Sequence, residues 1–378
     1  MKPIPLYIAL IGLATVFGSC KKKTDIESLA PIELLIPETK EDLSTFLKNA
    51  ARKAEVFKIN AQMGGKFSTS KGNIYTIAPN IFAKTDGSTV IGTVEISVKE
   101  ITEASEMILE DKPTNAELPS KDTINPVPAI LESFGEFKVE AKQGTEELEL
   151  KPNTEIQVEI PKPVEEPVLQ GYQVPLWTGD TTYRKNRIGY DHENREVFQE
   201  VAEPVSAGMT WKYTNASTSK GEEVVEEVSV PTLSFGIPKL GEWRNCDVLV
   251  QFPRSTTVLG FFTNVFNDTA FTDSYAGTQA NMLFFKKKGD KVLAKLYNHI
   301  LNAPEGKKGL LSYQNSFGIG MEGTFIALVS KDGKYYTQKK AVTIGEPENG
   351  KNYVGISFTL SEVTKEQMLS LIESMDNE

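Results

Sequence analysis

The stretch VIGTVEISVKEI, residues 90–101, decides the fold class of this chain. Its apolar residues recur close to every second position: Val94, Ile96, Val98 and Ile101. A period of two is typical of a β-strand with one buried face, and it differs from the spacing of an amphipathic helix. The turn residues Asp86-Gly87-Ser88 lie shortly before this segment. Residues 90–101 are therefore predicted to form a strand of a sheet that follows directly after a tight turn.

Segments with similar alternation lie on both sides of this strand. They are residues 56–60, 66–68, 72–79, 134–140, 148–150 and 156–160. Closely spaced short strands with no helical pattern between them are typical of an antiparallel sandwich. Residues 107–128 are polar and contain prolines, which predicts a long loop or insertion there.

Helical patterns are predicted at two places. Apolar residues between Glu41 and Phe57 follow a helical spacing, which predicts one short amphipathic helix. Thr364-Lys365-Glu366-Gln367 has the pattern of a capping box, so a short helix is predicted at the end of the chain.

The second half of the chain predicts more strands. Residues 161–167 are rich in proline, and a last strand running into a linker is favoured there over a stiff extended spacer. Residues 177–187 form a polar, turn-rich stretch. Strands are predicted at residues 197–201, 209–213, 224–230, 248–252, 258–262, 280–285, 291–297, 323–329, 335–339 and 353–360. Asp332-Gly333 is a hairpin signal between two of them.

The predicted fold class is therefore all-β, with two or three antiparallel β-sandwich domains and short helices near the start and at the C-terminus. The predicted parts are a lipoprotein signal peptide (1–19), a tether with a short helix (20–55), a β-sandwich module (56–161), a linker with a smaller β-element (162–247) and a C-terminal β-sandwich with a terminal helix (248–378).

The first twenty residues predict where the protein works. Lys2 gives a basic start, residues 4–17 are almost all apolar, and Gly18-Ser19-Cys20 follows. This order is typical of a secretory signal peptide, and the apolar run is shorter than the roughly 20 residues that a spanning helix needs. A cysteine after two small residues resembles a bacterial lipobox. The resemblance implies lipidation of Cys20, which would become the new N-terminus; ordinary signal cleavage and a retained anchor are the alternatives.

Several blocks resemble a β-sandwich module found in Bacteroidetes-type surface lipoproteins, similar to the module of zona-occludens, ankyrin and netrin-receptor proteins. The blocks are Gly72–Pro79, Asp86–Val94, Glu132–Ala141 and Leu148–Pro161, followed by Val174-Pro175-Leu176-Trp177 and Leu240–Asp247. The resemblance covers roughly Val56–Asp247 and implies a β-sandwich module that the last two blocks follow. The self-cleavage of some relatives is not carried over, because Leu233-Ser234-Phe235 has no adjacent histidine.

The net charge and the small numbers of cysteine and histidine argue against several classes of function. Lys and Arg number 41 and Asp and Glu 51, giving a net charge of −10 at pH 7. An acidic chain without a basic stripe is not expected to bind nucleic acid. If Cys20 is lipidated, Cys246 is the one remaining cysteine and no internal disulfide can form. The only histidines, His192 and His299, argue against metal sites and His-dependent catalysis, so no catalytic residue, metal or cofactor is assigned.

Three groups of side chains are weighed as site candidates. Cys246 is expected to be a buried small apolar residue rather than a nucleophile. Loop carboxylates could serve glycoside hydrolysis or calcium binding, but solvated loop charge is the favoured interpretation: Asp180, Asp191, Glu193, Asp268 and Asp273. Aromatic residues concentrated in the middle of the chain could stack on sugars, but core packing is favoured for most: Trp177, Tyr183, Tyr190, Trp211, Tyr213, Trp243, Phe261, Phe262, Phe266 and Phe271.

Two functional hypotheses follow. The first is a non-catalytic binding or scaffold module of the cell envelope, anchored at the outer membrane or cell surface through lipidated Cys20, with an envelope protein or a glycan as partner. The second is an envelope hydrolase or glycan-binding accessory protein that uses the loop carboxylates and aromatic residues. A small-ligand carrier is a third, and it requires an internal cavity.

Overall fold

Strands dominate the part of the chain that the structure describes. The computed structural model describes residues 42–119, 127–161, 174–183, 186–190, 196–199, 206–225, 228–265, 281–300, 309–312 and 314–378. The chain divides into two compact units, residues 1–39 and 40–378, and every described residue belongs to the second.

The described helices are short. They are α1 (Leu43–Ala50), α2 (Ala104–Glu110) and α3 (Lys365–Glu373), and a 3-10 turn (Ser374–Asn377) follows α3.

The described strands are named in chain order. In the first part they are β1 (Glu55–Asn60), β2 (Gly65–Ser68), β3 (Ile74–Ile77), β4 (Phe82–Lys84), β5 (Thr93–Ile101), β6 (Asn115–Leu118), β7 (Val127–Gln143), β8 (Glu146–Leu150), β9 (Ile156–Pro161), β10 (Pro175–Tyr183), β11 (Asn186–Tyr190), β12 (Glu196–Gln199) and β13 (Ser206–Ser217). The remaining ones are β14 (Ser219–Val225), β15 (Val228–Ile237), β16 (Trp243–Leu249), β17 (Ser255–Phe262), β18 (Asn281–Lys287), β19 (Leu293–Lys295), β20 (Asn298–Ile300), β21 (Gly309–Leu311), β22 (Phe317–Gly318), β23 (Glu322–Lys331), β24 (Lys334–Thr343), β25 (Tyr353–Phe358) and β26 (Ser361–Val363).

These strands form four sheets. Sheet I has the order β1-β5-β7-β16-β10-β13-β6, with β4 and β8 attached at β7, and sheet II has the order β14-β15-β9-β3-β2. Sheet III has the order β19-β18-β23-β24-β26, and sheet IV has the order β12-β11-β20-β21-β17-β22, with β25 on β17. Most pairs are antiparallel; β6–β13, β11–β20 and β17–β25 are parallel.

The first core lies between sheets I and II. Strand β5 directs Val94, Ile96 and Val98 into it at every second position, and all three are at most 1% exposed. Sheet II contributes side chains such as Tyr75 and Phe235 to the same core. Alternation along β5 thus buries one face of sheet I against sheet II.

A second core joins sheets III and IV, and the helices cover the opposite face of sheet III. On β23, Phe325 and Ala327 point into the second core, whereas Ile326 packs with α1, α2 and α3. Ile101 of sheet I belongs to that helical cluster as well. The helices therefore fill a layer that touches both sheet I and sheet III.

The all-β prediction is confirmed, and several predicted strands are observed close to their expected positions. Strand β5 forms within 90–101, and the Asp332-Gly333 turn connects β23 to β24 with Lys331 opposite Lys334. Thr364 and Gln367 form the predicted capping box. The helix predicted within 41–57 is observed, but it ends at Ala50 because Glu55 already pairs with Val98 in sheet I. The predicted division into separate sandwich domains stays a prediction.

Three local predictions are wrong. Residues 107–128 are not a continuous loop, because α2 extends to Glu110 and β6 pairs with both β7 and β13. The described residues of 177–187 are not a turn-rich stretch: residues 177–183 lie in β10 and residues 186–187 in β11, and β10 pairs with β13 along almost its whole length. The single strand predicted at 224–230 is a hairpin, in which Val225 pairs with Val228. In the first two cases partners distant in sequence override a polar local composition, whereas the β14–β15 hairpin pairs residues that are close in sequence.

Candidate functional site

A β-bulge in the centre of sheet I organises the strongest cluster of buried polar side chains. Strand β7 pairs with β16, so that Asn245 lies opposite Glu136 and Asp247 lies opposite Ser133. Strand β7 thus inserts one additional residue between these two pairs. Gly135 lies in this bulge at φ 143, and a Cβ atom there would be 2.6 Å from Cζ of Phe137. Glycine is required at this position because an L side chain would be strained and would clash.

The bulge brings four buried polar side chains together: Ser133, Glu136, Asn245 and Asp247, all at most 1% exposed. The backbone N–H of Phe134 donates to Asp247 Oδ1 at 3.2 Å, and Asn245 Nδ2 donates to Asp247 Oδ2. Ser133 Oγ donates to Asn245 Oδ1 at 3.3 Å. Asp247 is therefore held by donors from both strands. We name these four residues the bulge cluster.

Glu136 differs from its neighbours in the bulge cluster. It is 0% exposed, and neither of its carboxyl oxygens has a hydrogen-bond partner among the described residues. An unpaired buried carboxylate is costly, whereas a protonated carboxyl is cheaper to bury.

Burial raises the pKa of both carboxyls in the bulge cluster. Desolvation raises the pKa of Glu136 well above its ordinary value, and the nearby charge of Asp247 raises it further. Desolvation also raises the pKa of Asp247, although the hydrogen bonds from Ser133, Asn245 and Phe134 oppose this effect. Chemically, two such carboxyls can hold and exchange protons. Both are fully buried, so neither is presented to a substrate in this conformation.

A second buried charge cluster joins α2 to sheet III. Lys295 Nζ lies 2.6 Å from Asp111 Oδ1, and the two side chains are 2% and 17% exposed. The same ammonium group lies 5.5 Å from the centre of the Phe284 ring and 5.6 Å from that of Tyr297. Asn115 exchanges two hydrogen bonds with the backbone of Lys295. This arrangement fastens β6 and the end of α2 to β19.

Two concave surfaces are notable. A cavity of about 150 Å³ is lined by the start of α2, the β18–β19 turn and residues 376–378, with Lys286 and Asp376 on its wall. A groove of about 360 Å³ is lined by β5, β7 and β8, with the carboxylates of Glu140, Glu147 and Glu149 and the ammonium of Lys142. The cavity is smaller than the about 300–1,000 Å³ of ordinary ligand pockets. The groove is of that size, but four of its ten lining residues are charged.

The carboxylates proposed from the sequence do not form a described site. Asp180 is exposed and forms an ion pair with Lys212 at 2.5 Å, and the hydrogen bond from Lys212 lowers the pKa of Asp180. The other four loop carboxylates and His192 lie outside the described residues, as does Cys20. His299 belongs to β20, whose backbone is described. Among the described residues, no group of three or more His, Cys, Asp or Glu side chains could hold a metal ion.

The proposed aromatic residues mainly serve packing where they are described. Trp177 and Trp211 are 0% exposed, and their indole N–H groups donate to the carbonyl oxygens of Asp247 and Pro113 at 3.1 and 2.8 Å. Trp243 is partly buried beneath Lys112 Nζ, at 5.5 Å from the ring centre. Core packing is thereby confirmed for both fully buried tryptophans. Phe266 and Phe271 lie outside the described residues.

Cys246 is fully buried in the first core, which confirms the prediction of a small apolar role. It lies opposite Leu176, while Trp177 lies opposite Asn245. The two sequence blocks that contain Trp177 and Asp247 are therefore neighbouring strands of sheet I. The indole of Trp177 links them directly.

Sequence reasoning missed the bulge cluster. Glu136 lies in the predicted strand 134–140, where alternation places it on the face opposite Phe137 and so predicts exposure to water. The one available signal was the Glu-Ser-Phe-Gly-Glu order of residues 132–136, since a glycine inside a strand often marks a bulge.

Comparison with protein-family models gives no match, and comparisons with curated proteins and with solved structures give none either. Within the described ranges, none of the helices combines the length and the apolar character needed to cross a bilayer.

Proposed function

We propose that this chain is a lipid-anchored β-protein of the cell envelope that works as a non-catalytic binding or scaffold module. The observation that carries the proposal is the order of residues 1–20: a basic start, an apolar run, two small residues and Cys20. Acylation of Cys20 would attach the chain to a bilayer, and two or more acyl chains are sufficient for stable anchoring.

The architecture of the described residues supports a binding or scaffold role. Four sheets and a layer of helices share extended cores, so the body offers rigid surfaces to a partner. Its described carboxylates are largely committed to structural contacts, such as the ion pair of Asp180 with Lys212 and that of Asp111 with Lys295. A partner protein or a glycan at the envelope is the expected ligand class.

We also propose that the chain contains a module similar to the β-sandwich module of Bacteroidetes-type surface lipoproteins. Its support is the pairing of the Pro175-Leu176-Trp177 block on β10 with the Trp243–Asp247 block on β16. Those two blocks are about 65 residues apart in sequence, yet Leu176 lies opposite Cys246 and Trp177 opposite Asn245.

Metabolic labelling with a lipid precursor in a bacterial host tests the anchor. Label should enter the wild-type protein and be lost from Cys20→Ala, whereas Cys246→Ala, the matched control, should keep it. Protease shaving of intact cells then separates a surface location from an inward-facing one. Equal labelling of wild type and Cys20→Ala would contradict the proposal.

The non-catalytic part has its own test. The lipid-free protein, beginning after Cys20, should not hydrolyse a panel of envelope glycans and peptides above the level of a heat-denatured sample. Specific hydrolysis that is abolished by one carboxylate-to-amide substitution would favour the hydrolase hypothesis instead.

A further inference from the structure

Glu136 lies on β7, where the neighbouring strands β5 and β16 meet the helical layer. Its neighbours on β7, Phe137 and Val139, alternate into the first core, so Glu136 belongs to the opposite face of sheet I. On that face it lies opposite Ile101 of β5, a member of the helical cluster, and opposite Asn245 of β16. The carboxyl group is thus enclosed between sheet I and the helical layer.

The environment of a second buried glutamate shows what Glu136 lacks. Glu100 is 9% exposed and accepts hydrogen bonds from Thr69, Asn73 and Tyr75 at 2.8, 3.1 and 2.7 Å. Three donors of this kind compensate an ionised carboxylate for the loss of water. Neither oxygen of Glu136 has such a donor within the described ranges.

The positive groups around Glu136 are engaged elsewhere. The charged groups that act on it are Asp247 on β16 and Glu106, Glu110 and Lys112 on and after α2. Lys112 donates to the carbonyl oxygen of Glu110 at 3.0 Å.

The other nearby lysines have partners of their own. They form ion pairs as follows: Lys71 with Glu106, Lys99 with Glu110, and Lys138 on the same face of β7 with Glu140. Glu132 faces Asp247 as a further negative group. The charges of these surrounding groups therefore balance, so the full burial of the two carboxyls and the repulsion between them favour protonation of one or both.

We propose that Glu136 and Asp247 form a proton-holding pair in the folded protein, and that release of these protons weakens the contact between sheet I and the helical layer as pH rises. The geometry that supports this is the full burial of both carboxyls, the absence of donors to Glu136 within the described residues, and their position on adjoining strands at the bulge.

The direction of the pH effect follows from linkage. The folded-state pKa of each carboxyl lies above its ordinary value, 4.5 for Glu and 3.8 for Asp. The stabilising contribution is thus complete below the unfolded pKa and is lost as pH rises toward the folded pKa. Over each pH unit in which the folded chain holds one more proton than the unfolded chain, the folding equilibrium constant falls about tenfold.

Urea unfolding at several values from about pH 5 upward tests the proposal, because the unfolded carboxyls lose their protons above their ordinary pKa values while the folded pair keeps them. The folding constant of the wild-type protein should fall as pH rises. Glu136→Gln should reduce that fall and should make the protein relatively more stable at the upper end. Asp247→Asn should also reduce it. Glu149→Gln, an exposed position on β8 of the same sheet, is the matched control and should keep the wild-type pH dependence.

An unchanged pH dependence in Glu136→Gln, seen as equal destabilisation by this variant at both ends of the range, would overturn the proposal. Should the variants not fold, infrared spectroscopy of the wild-type protein in D₂O provides the test. Folded protein at neutral pH should show the carbonyl band of protonated carboxyls, and unfolding should remove it. Folded protein without that band would refute the pair.

Discussion

At the residue scale, the number of local donors decides the state of a buried carboxyl. Glu100 and Glu136 both lie in sheet I, but only Glu100 is surrounded by hydroxyl and amide donors. The hydroxyl of Tyr75 is part of this network, and burial together with the charge of Glu100 raises the pKa of Tyr75 well above its ordinary value. Tyr75 therefore stays protonated and keeps donating at all ordinary pH values.

A substitution at the bulge tests its required geometry. Gly135→Ala places a methyl group at φ 143 and against the ring of Phe137, so it should lower the free energy of unfolding by about 1–3 kcal/mol. Gly345→Ala is the control, because a Cβ at Gly345 meets no described atom within 4 Å. Denaturant unfolding measures both, and a Gly135 variant as stable as the Gly345 variant would show that the bulge tolerates a side chain.

The sequence predicted residue roles unevenly. Cys246 and the two buried tryptophans were correctly placed because free cysteine and tryptophan side chains are usually buried, whichever element carries them. Glu136 was not, because its burial depends on α2 covering the outer face of sheet I, and no residue near Glu136 in sequence specifies that cover.

At the element scale, the C-terminal helix shows how local signals can fix a boundary. Thr364 Oγ1 accepts from the N–H of Gln367 at 3.2 Å, and the Gln367 side chain accepts from the N–H of Thr364 at 2.9 Å. Both contacts lie within four residues, so the capping box could be predicted from sequence alone.

Removing that cap should loosen the helix. Thr364→Ala should lower the free energy of unfolding by about 0.5–2 kcal/mol, because an amide at the first turn loses its acceptor. Thr364→Ser keeps a hydroxyl and should stay near the wild-type value. Thermal or urea unfolding distinguishes these outcomes; equal losses in both variants would indicate that the capping hydrogen bond contributes nothing.

A strand that is buried on both faces is apolar throughout and does not show the alternation of apolar and polar residues. The run Phe325–Val329 is continuously apolar, and its side chains enter the second core and the helical cluster in turn. Such a run is expected where both faces of a strand are covered. It could have predicted cover on both sides of sheet III, but not which elements provide it. Strand β6 was missed for the converse reason, since its polar sequence is placed by pairing with β7 and β13.

At the scale of the whole molecule, contacts across long sequence separations hold the layers together. Asp111 follows α2 in a left-handed conformation at φ 52, and its carboxylate meets Lys295 on β19. Ser105 donates from both its backbone N–H and its hydroxyl to Asp376, at 2.7 Å in each case. These contacts connect the first part of the chain to its last described residues, so we expect the layers to unfold together.

The buried ion pair should matter far more than an exposed one. Asp111→Asn keeps a residue that tolerates the left-handed conformation, yet it leaves the Lys295 charge buried, so we expect a loss of about 3–5 kcal/mol. Asp180→Asn disrupts the exposed pair with Lys212 and should cost about 1 kcal/mol or less. Similar losses in the two variants, measured by denaturant unfolding, would contradict this ranking.

The lipid-anchored function proposed for the whole molecule depends most on Cys20. Mass spectrometry of the N-terminal peptide, from protein extracted from the membranes of a bacterial host, tests it most directly. We predict a mature chain that begins at Cys20 and carries the added mass of acyl groups on that cysteine. A mature chain that begins at any other residue, or a Cys20 without added mass, would contradict the lipid-anchored function.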